Sequence, residues 1–144
     1  MESILSNKAL LIPLGAWCVA QALKVLISLI RDRRLNLPYF VSMGGMPSAH
    51  STLVCALAAT IAITRGLDSI VFAIAAFFAA IVMYDAAGVR QTVSTQSTIL
   101  NSILDELFKG KPAYEKRLRE LIGHTKFEII AGVALGILLA WWWT

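Results

Sequence analysis

Apolar residues in this chain come in blocks longer than the half-buried elements of a soluble domain require. A bilayer span needs roughly 20 such residues. The first block, Ala9 to Ile30, has that length, with Pro13 as a mild interruption and Lys24 near its end. A polar stretch from Arg31 to Gly45 follows, where Pro38 and the pair Gly44-Gly45 break helix. The second block runs from about Pro47 to Thr64. Pro47 suits the first turn of a helix, where its missing N–H costs nothing. Arg65-Gly66-Leu67-Asp68 reads as a tight turn, and the third block extends from Ser69 to about Ala87, with Asp85 near its end and a stop around Gly88.

From Val89 to Phe108 the pattern changes. Ser, Thr, Gln and Asn enter, while Val93, Ile99, Leu100, Ile103, Leu104 and Leu107 still recur at helical spacing. This predicts an amphipathic helix at the membrane interface or packed over the bundle. A second short helix is expected over Ala113 to Ile122, where Glu115 precedes Arg119 by four and Lys116 precedes Glu120 by four. The last block, about Phe127 to Trp143, ends in Trp141, Trp142 and Trp143, an aromatic belt at an exit interface. The expectation is an all-α integral membrane helical bundle of about four transmembrane spans plus one or two interfacial amphipathic helices. Residues 1–144 form one domain, with no repeat and no low-complexity tract.

Composition supports lipid as the solvent. Of the 144 residues 58% are hydrophobic and 15% charged, against about a quarter charged in soluble domains. The mean hydropathy is +0.71. Cys18 and Cys55 lie within apolar runs and fit neither a zinc pattern nor a disulfide framework, so packed, reduced thiols are expected. Without a basic start or clear cleavage site, the first apolar run reads as a retained span. The net charge is +4, and its placement says more than its sum. Arg31, Arg33 and Arg34 follow the first span. Arg90, Lys109, Lys111, Lys116, Arg117, Arg119 and Lys126 lie between the third and fourth. The opposite side holds Lys8 and Arg65. The positive-inside rule puts both basic segments in the cytoplasm and both termini outside, in an inner, plasma or thylakoid-like membrane, with no nucleic-acid partner.

On that topology the unusual residues converge. Lys24 and Arg31 share a face at the inner end of the first helix, seven residues apart. His50 falls in the first turn of the second helix, Asp85 and Arg90 at the inner end of the third, and His124 and Glu128 open the fourth, four apart on one face. Ionisable groups at membrane depth are costly and face the bundle interior. Two helix N-termini, at Pro47 and near His124, present N–H groups that attract phosphate. Gly44 and Gly45 permit close backbone approach, Lys24, Arg31 and Arg90 supply cations, and Ser48 supplies a hydroxyl. Two histidines can divide nucleophile and general acid, with Glu128 holding His124 in the required tautomer.

Each element has a plainer role taken singly. Lys24 can snorkel to the interface, and Arg31, Arg33 and Arg34 can serve as topology signals. His50 can satisfy a helix end, Ser48 can cap a helix, Asp85 and Arg90 can form a structural ion pair, and His124 and Glu128 a surface pair. The case for a site rests on their coincidence at one level.

The stretch Gly44-Gly45-Met46-Pro47-Ser48-Ala49-His50-Ser51, with Gly123-His124-Thr125-Lys126-Phe127-Glu128 and the following Ala131 to Gly136, resembles the type-2 phosphatidic acid phosphatase and vanadium haloperoxidase superfamily. It is most similar to the divergent bacterial and plant branch labelled acid phosphatase/vanadium-dependent haloperoxidase-related. The likeness to the branch covers nearly the whole chain, including Asp85 to Gln91. In the superfamily a first motif places Lys, six residues, then Arg-Pro. Lys24 and Arg31 match it, with Asp32 in place of the proline. A second motif is Pro-Ser-Gly-His, matched by Pro47, Ser48 and His50 with Ala49 for the glycine. The third is Ser-Arg, five residues, His, three residues, Asp, where His124 matches and Glu128 stands for Asp.

The resemblance implies that Ser48 binds phosphate, His50 protonates the leaving oxygen and His124 carries a phosphohistidine. The third motif's arginine is displaced, because position 118 is Leu118 between Arg117 and Arg119. Arg90 is the candidate substitute from another helix, and Asp85 and Arg119 are candidate supporting residues. No metal or cofactor is implied. Vanadate is a phosphate mimic for this pocket, and a haloperoxidase role does not suit so small a membrane chain. The expected function is hydrolysis of a phosphomonoester on a membrane lipid such as phosphatidylglycerophosphate or phosphatidate. The alternative is a non-catalytic lipid-phosphate binder or carrier, or a structural membrane protein in which the same residues set topology. A chain of this size also admits a homodimer.

Overall fold

The computed structural model describes residues 6–32, 45–107 and 125–144. Among them the chain forms five helices: α1 (Lys8–Asp32), α2 (Ala49–Arg65), α3 (Ile70–Ala87), α4 (Val89–Leu107) and α5 (Lys126–Trp143). The all-α bundle expected from the pattern is therefore present. The arginines at 33, 34, 117 and 119, the short helix expected over 113–122, and His124 lie outside the described residues.

Local chemistry sets the helix starts. Ser69 caps α3, its Oγ accepting the Phe72 N–H at 3.2 Å. Thr125 caps α5, its Oγ1 accepting the Glu128 N–H at 3.3 Å, while Glu128 Oε2 accepts the Thr125 N–H at 3.0 Å. This reciprocal box satisfies two otherwise orphaned donors. Gly66, at φ +89°, ends α2 and donates its N–H to the Ala62 carbonyl at 3.1 Å. That geometry makes the turn predicted over 65–68 suit glycine. Pro47 differs from expectation. It precedes the cap Ser48, and α2 begins only at Ala49, so the serine side chain rather than the proline opens the helix.

Among the described residues three helices are long and apolar enough to cross a membrane: Lys8–Ile30, Ile70–Ala87 and Lys126–Trp143. The expected fourth span, α2, has 17 residues, about 26 Å of helix against a hydrocarbon core of about 30 Å. It is the central helix, packed against α1, α3 and α5. Its buried residues are small or branched: Ala49, Ser51, Thr52, Val54, Cys55, Ala56, Thr60 and Ile61.

α2 and α5 run parallel. The Ser48 N–H donates to the Glu128 carbonyl at 2.9 Å, and the pairing continues along the seam. A Cβ added at Gly132 would lie 2.5 Å from the Ser48 carbonyl oxygen, and one at Gly136 2.5 Å from that of Thr52. Two glycines four apart thus let backbone meet backbone, the way small residues drive helix association in lipid. Ala140 continues the stripe into a cluster with Ile12, Ala16 and Ala56. α3 closes the other flank through Val54, Cys55 and Ala79, with Cys55 Sγ 3.8 Å from Met83 Sδ. Cys55 is buried as expected. Cys18 is instead exposed on α1, because it lies off the stripe that faces α2 and α5, and both thiols are free.

α3 continues almost directly into α4. Gly88 is itself helical in conformation, and it receives and gives helical hydrogen bonds with Tyr84 and Thr92. Among the described elements α4 meets α3 alone, so it is not laid over the bundle.

Candidate functional site

The loop end of the bundle collects three helix ends: the last turns of α1 and the starts of α2 and α5. Ser48 is fully buried. Its Oγ accepts from the Ser51 N–H at 3.4 Å and from Ser51 Oγ at 3.0 Å, and its carbonyl accepts from Thr52 Oγ1 at 2.9 Å. The hydroxyl therefore works as an acceptor for the helix start, and its own proton remains for a further partner. His50 stands two residues on, half-buried in the first turn of α2. Gly45, three residues before the cap, has φ +94°, a backbone conformation open to glycine, with free space where a Cβ would project.

Lys24 is 3% exposed. A snorkelling lysine would hold its head in water, so this side chain does not snorkel. Burial of an ammonium requires a counter-charge, and the Glu128 carboxylate exerts a Coulombic attraction on it. Glu128 thus joins three elements. Its side chain caps α5, its backbone carbonyl takes the N–H of the α2 cap, and its charge balances a lysine on α1.

The structure brings Lys24 and Ser48 to Glu128, and His50 follows in the first turn of α2. Arg31 lies in the last turn of α1 and Arg90 in the first turn of α4, with side chains outside the described set. Asp85 is half-buried in the last turns of α3, the helix antiparallel to α2. α5 opens at Lys126 behind the Thr125 cap, and the expected pairing of His124 with Glu128 lies outside the described residues. The Thr125–Glu128 box fixes that start, since Glu128 reaches back to the backbone three residues before it. Among the described residues no cluster of His, Cys, Asp and Glu is arranged to hold a metal.

Residues 5–139 match the Divergent PAP2 family. The chain belongs to that family. It is also similar to the uncharacterized membrane protein YuiD of Bacillus subtilis (strain 168), with 39% identity over 147 residues covering 94% of this chain and 93% of that protein. No solved structure matches it. Membership in the Divergent PAP2 family agrees with the resemblance read from the motif residues and carries a phosphatase-related association. Together with the three apolar helices and the membrane-protein relative, it makes this a membrane protein.

Two features were not singled out from sequence. The glycine pair 132 and 136 carries the small-residue spacing of close helix contact. The polar residues Gln21 and Ser28 fall on the same face of α1 as Lys24, at spacings of three and four, and are 5% and 6% exposed. That polar stripe within an apolar span was the available signal.

Proposed function

We propose that the chain is a membrane lipid phosphatase that hydrolyses a phosphomonoester of the phosphatidate or phosphatidylglycerophosphate kind. The supporting observation is the buried Lys24 held against Glu128 at the level where the starts of α2 and α5 are joined by the Ser48–Glu128 hydrogen bond. A cation without access to bulk water, beside two helix N-termini, is suited to an anion. In this reading Lys24, Arg31 and Ser48 hold the phosphate oxygens. Gly45 and Arg90 contribute backbone room and a further charge, with Asp85 and Arg119 as support.

His124 attacks phosphorus in line as the bond to the lipid oxygen breaks, and His50 gives that oxygen its proton. Water then attacks the phosphohistidine, passes a proton to His50 and releases phosphate. Glu128 orients His124 and neutralises Lys24. The basic segments put this end on the cytoplasmic side and both termini outside. Inside-out and right-side-out vesicles with an impermeant phosphate ester test the sidedness. Hydrolysis confined to the outer face would overturn it.

A second reading, a non-catalytic lipid-phosphate binder or carrier, is favoured by two observations. Leu118 stands where the family's arginine is expected, and Glu128 is already committed to a cap and to Lys24. Purified protein in lipid nanodiscs separates the two. A phosphatase releases phosphate from a lipid phosphate, and His124→Ala stops release while binding remains. A binder shows the binding with no release in either protein.

A further inference from the structure

Three buried side-chain oxygens among the described residues have no hydrogen-bond partner: Gln21 Oε1, Ser28 Oγ and Thr60 Oγ1. Buried polar atoms are nearly always paired, so each needs a reason. Thr60 lies toward the far end of α2, away from the groups described above. Gln21 and Ser28 bracket Lys24. Helix rise puts Gln21 about 4.5 Å from Lys24 toward the membrane interior and Ser28 about 6 Å from it toward the loop. All three side chains face the bundle rather than lipid, since none is more than 6% exposed.

The chemistry of the orphan atoms differs from that of the lysine. Lys24 offers only donors and suits phosphate oxygens. A glutamine Oε1 is an acceptor and needs a hydrogen donor, which a phosphate dianion and an acyl chain both lack. A lipid phosphate held at Lys24 must run its alcohol moiety toward the acyl chains, on the membrane side where Gln21 lies.

We infer that Gln21 receives a hydroxyl hydrogen from that alcohol moiety, so that the preferred ligand is a lipid phosphate with a free hydroxyl beside the phosphate ester. This rests on the lipid-phosphate reading above but not on turnover. Phosphatidylglycerophosphate and lysophosphatidate carry such a hydroxyl, and phosphatidate does not. Gln21 is a specificity-determining position outside the motif residues.

The test compares full-length wild type, Gln21→Met and Gln21→Asn in nanodiscs, each checked as a monodisperse species. Binding of phosphatidylglycerophosphate, lysophosphatidate and phosphatidate is measured together with phosphate release. Wild type binds the two hydroxyl-bearing lipids roughly tenfold tighter than phosphatidate. Gln21→Met brings the ratio close to one, and the shortened amide of Gln21→Asn gives an intermediate ratio. An unchanged ratio in Gln21→Met overturns the inference and leaves the atom to a buried water. An equal loss for all three lipids also overturns it, because the contact would then be to a phosphate O–H or be structural. Binding with this ratio but no phosphate release from any lipid overturns the phosphatase reading alone. Absence of binding to all three by folded wild type overturns both.

Discussion

The two ends of the bundle are built from the same helices by different means. At the terminal end, α1 and α5 meet through bulk: Trp143 lies over Gly15, and an exposed Lys8 Nζ reaches the Thr144 carbonyl at 2.9 Å. Ile12, Ala16, Ala56 and Ala140 fill the interior there with apolar atoms, beside the buried hydroxyl of Thr60. At the loop end the interior contains Lys24, Gln21, Ser28, Ser48 and Ser51, all buried. An apolar bundle needs no such residues to cohere, and their desolvation works against it. The proposed site draws on the polar interior of the loop end, and the α2–α5 seam connects the two ends by close backbone contact.

That contrast can be broken from its centre outward. Gly136→Leu drives a side chain into the Thr52 backbone. It is expected to cost about 3 kcal/mol or more and to abolish a monodisperse peak in detergent. Ser48→Ala removes the α2 cap and the acceptor of the Ser51 hydroxyl, a loss of about 2 kcal/mol read as a lowered unfolding temperature. Thr125→Ala dissolves the capping box while leaving Glu128 in place, with an expected loss of about 1 kcal/mol. A larger effect on phosphate release than on thermal stability would tie that box to the role proposed for His124. Lys8→Met, at the terminal end, is expected to change stability by about 0.5 kcal/mol or less, since its contact is exposed.

The sequence made the helices legible because long apolar blocks and turn residues leave few alternatives. α1, α3, α4 and α5 begin and end within a residue or two of the expected positions. What escaped depends on relations between helices. Nothing in α2 alone says that it is the central helix, packed against α1, α3 and α5. The Thr125–Glu128 capping box that sets the start of α5 could be read from the Thr-x-x-Glu spacing. At the candidate site, topology placed Lys24, Ser48 and Glu128 at one end of the bundle, as they are found. The Lys24–Glu128 attraction was not visible, since it joins residues 104 positions apart through packing of α1 on α5. Gln21 and Ser28 passed as incidental polar residues until their burial was known.

The proposed function requires an anion site at the end of the bundle that holds Lys24 and none at the end that holds Lys8. Vanadate binding to the purified chain, followed by vanadium NMR line broadening, measures this directly in wild type, Lys24→Met and Lys8→Met. Wild type and Lys8→Met are expected to bind alike, and Lys24→Met roughly 30-fold more weakly, about 2 kcal/mol. Equal binding by all three folded proteins, or none by wild type, would contradict it.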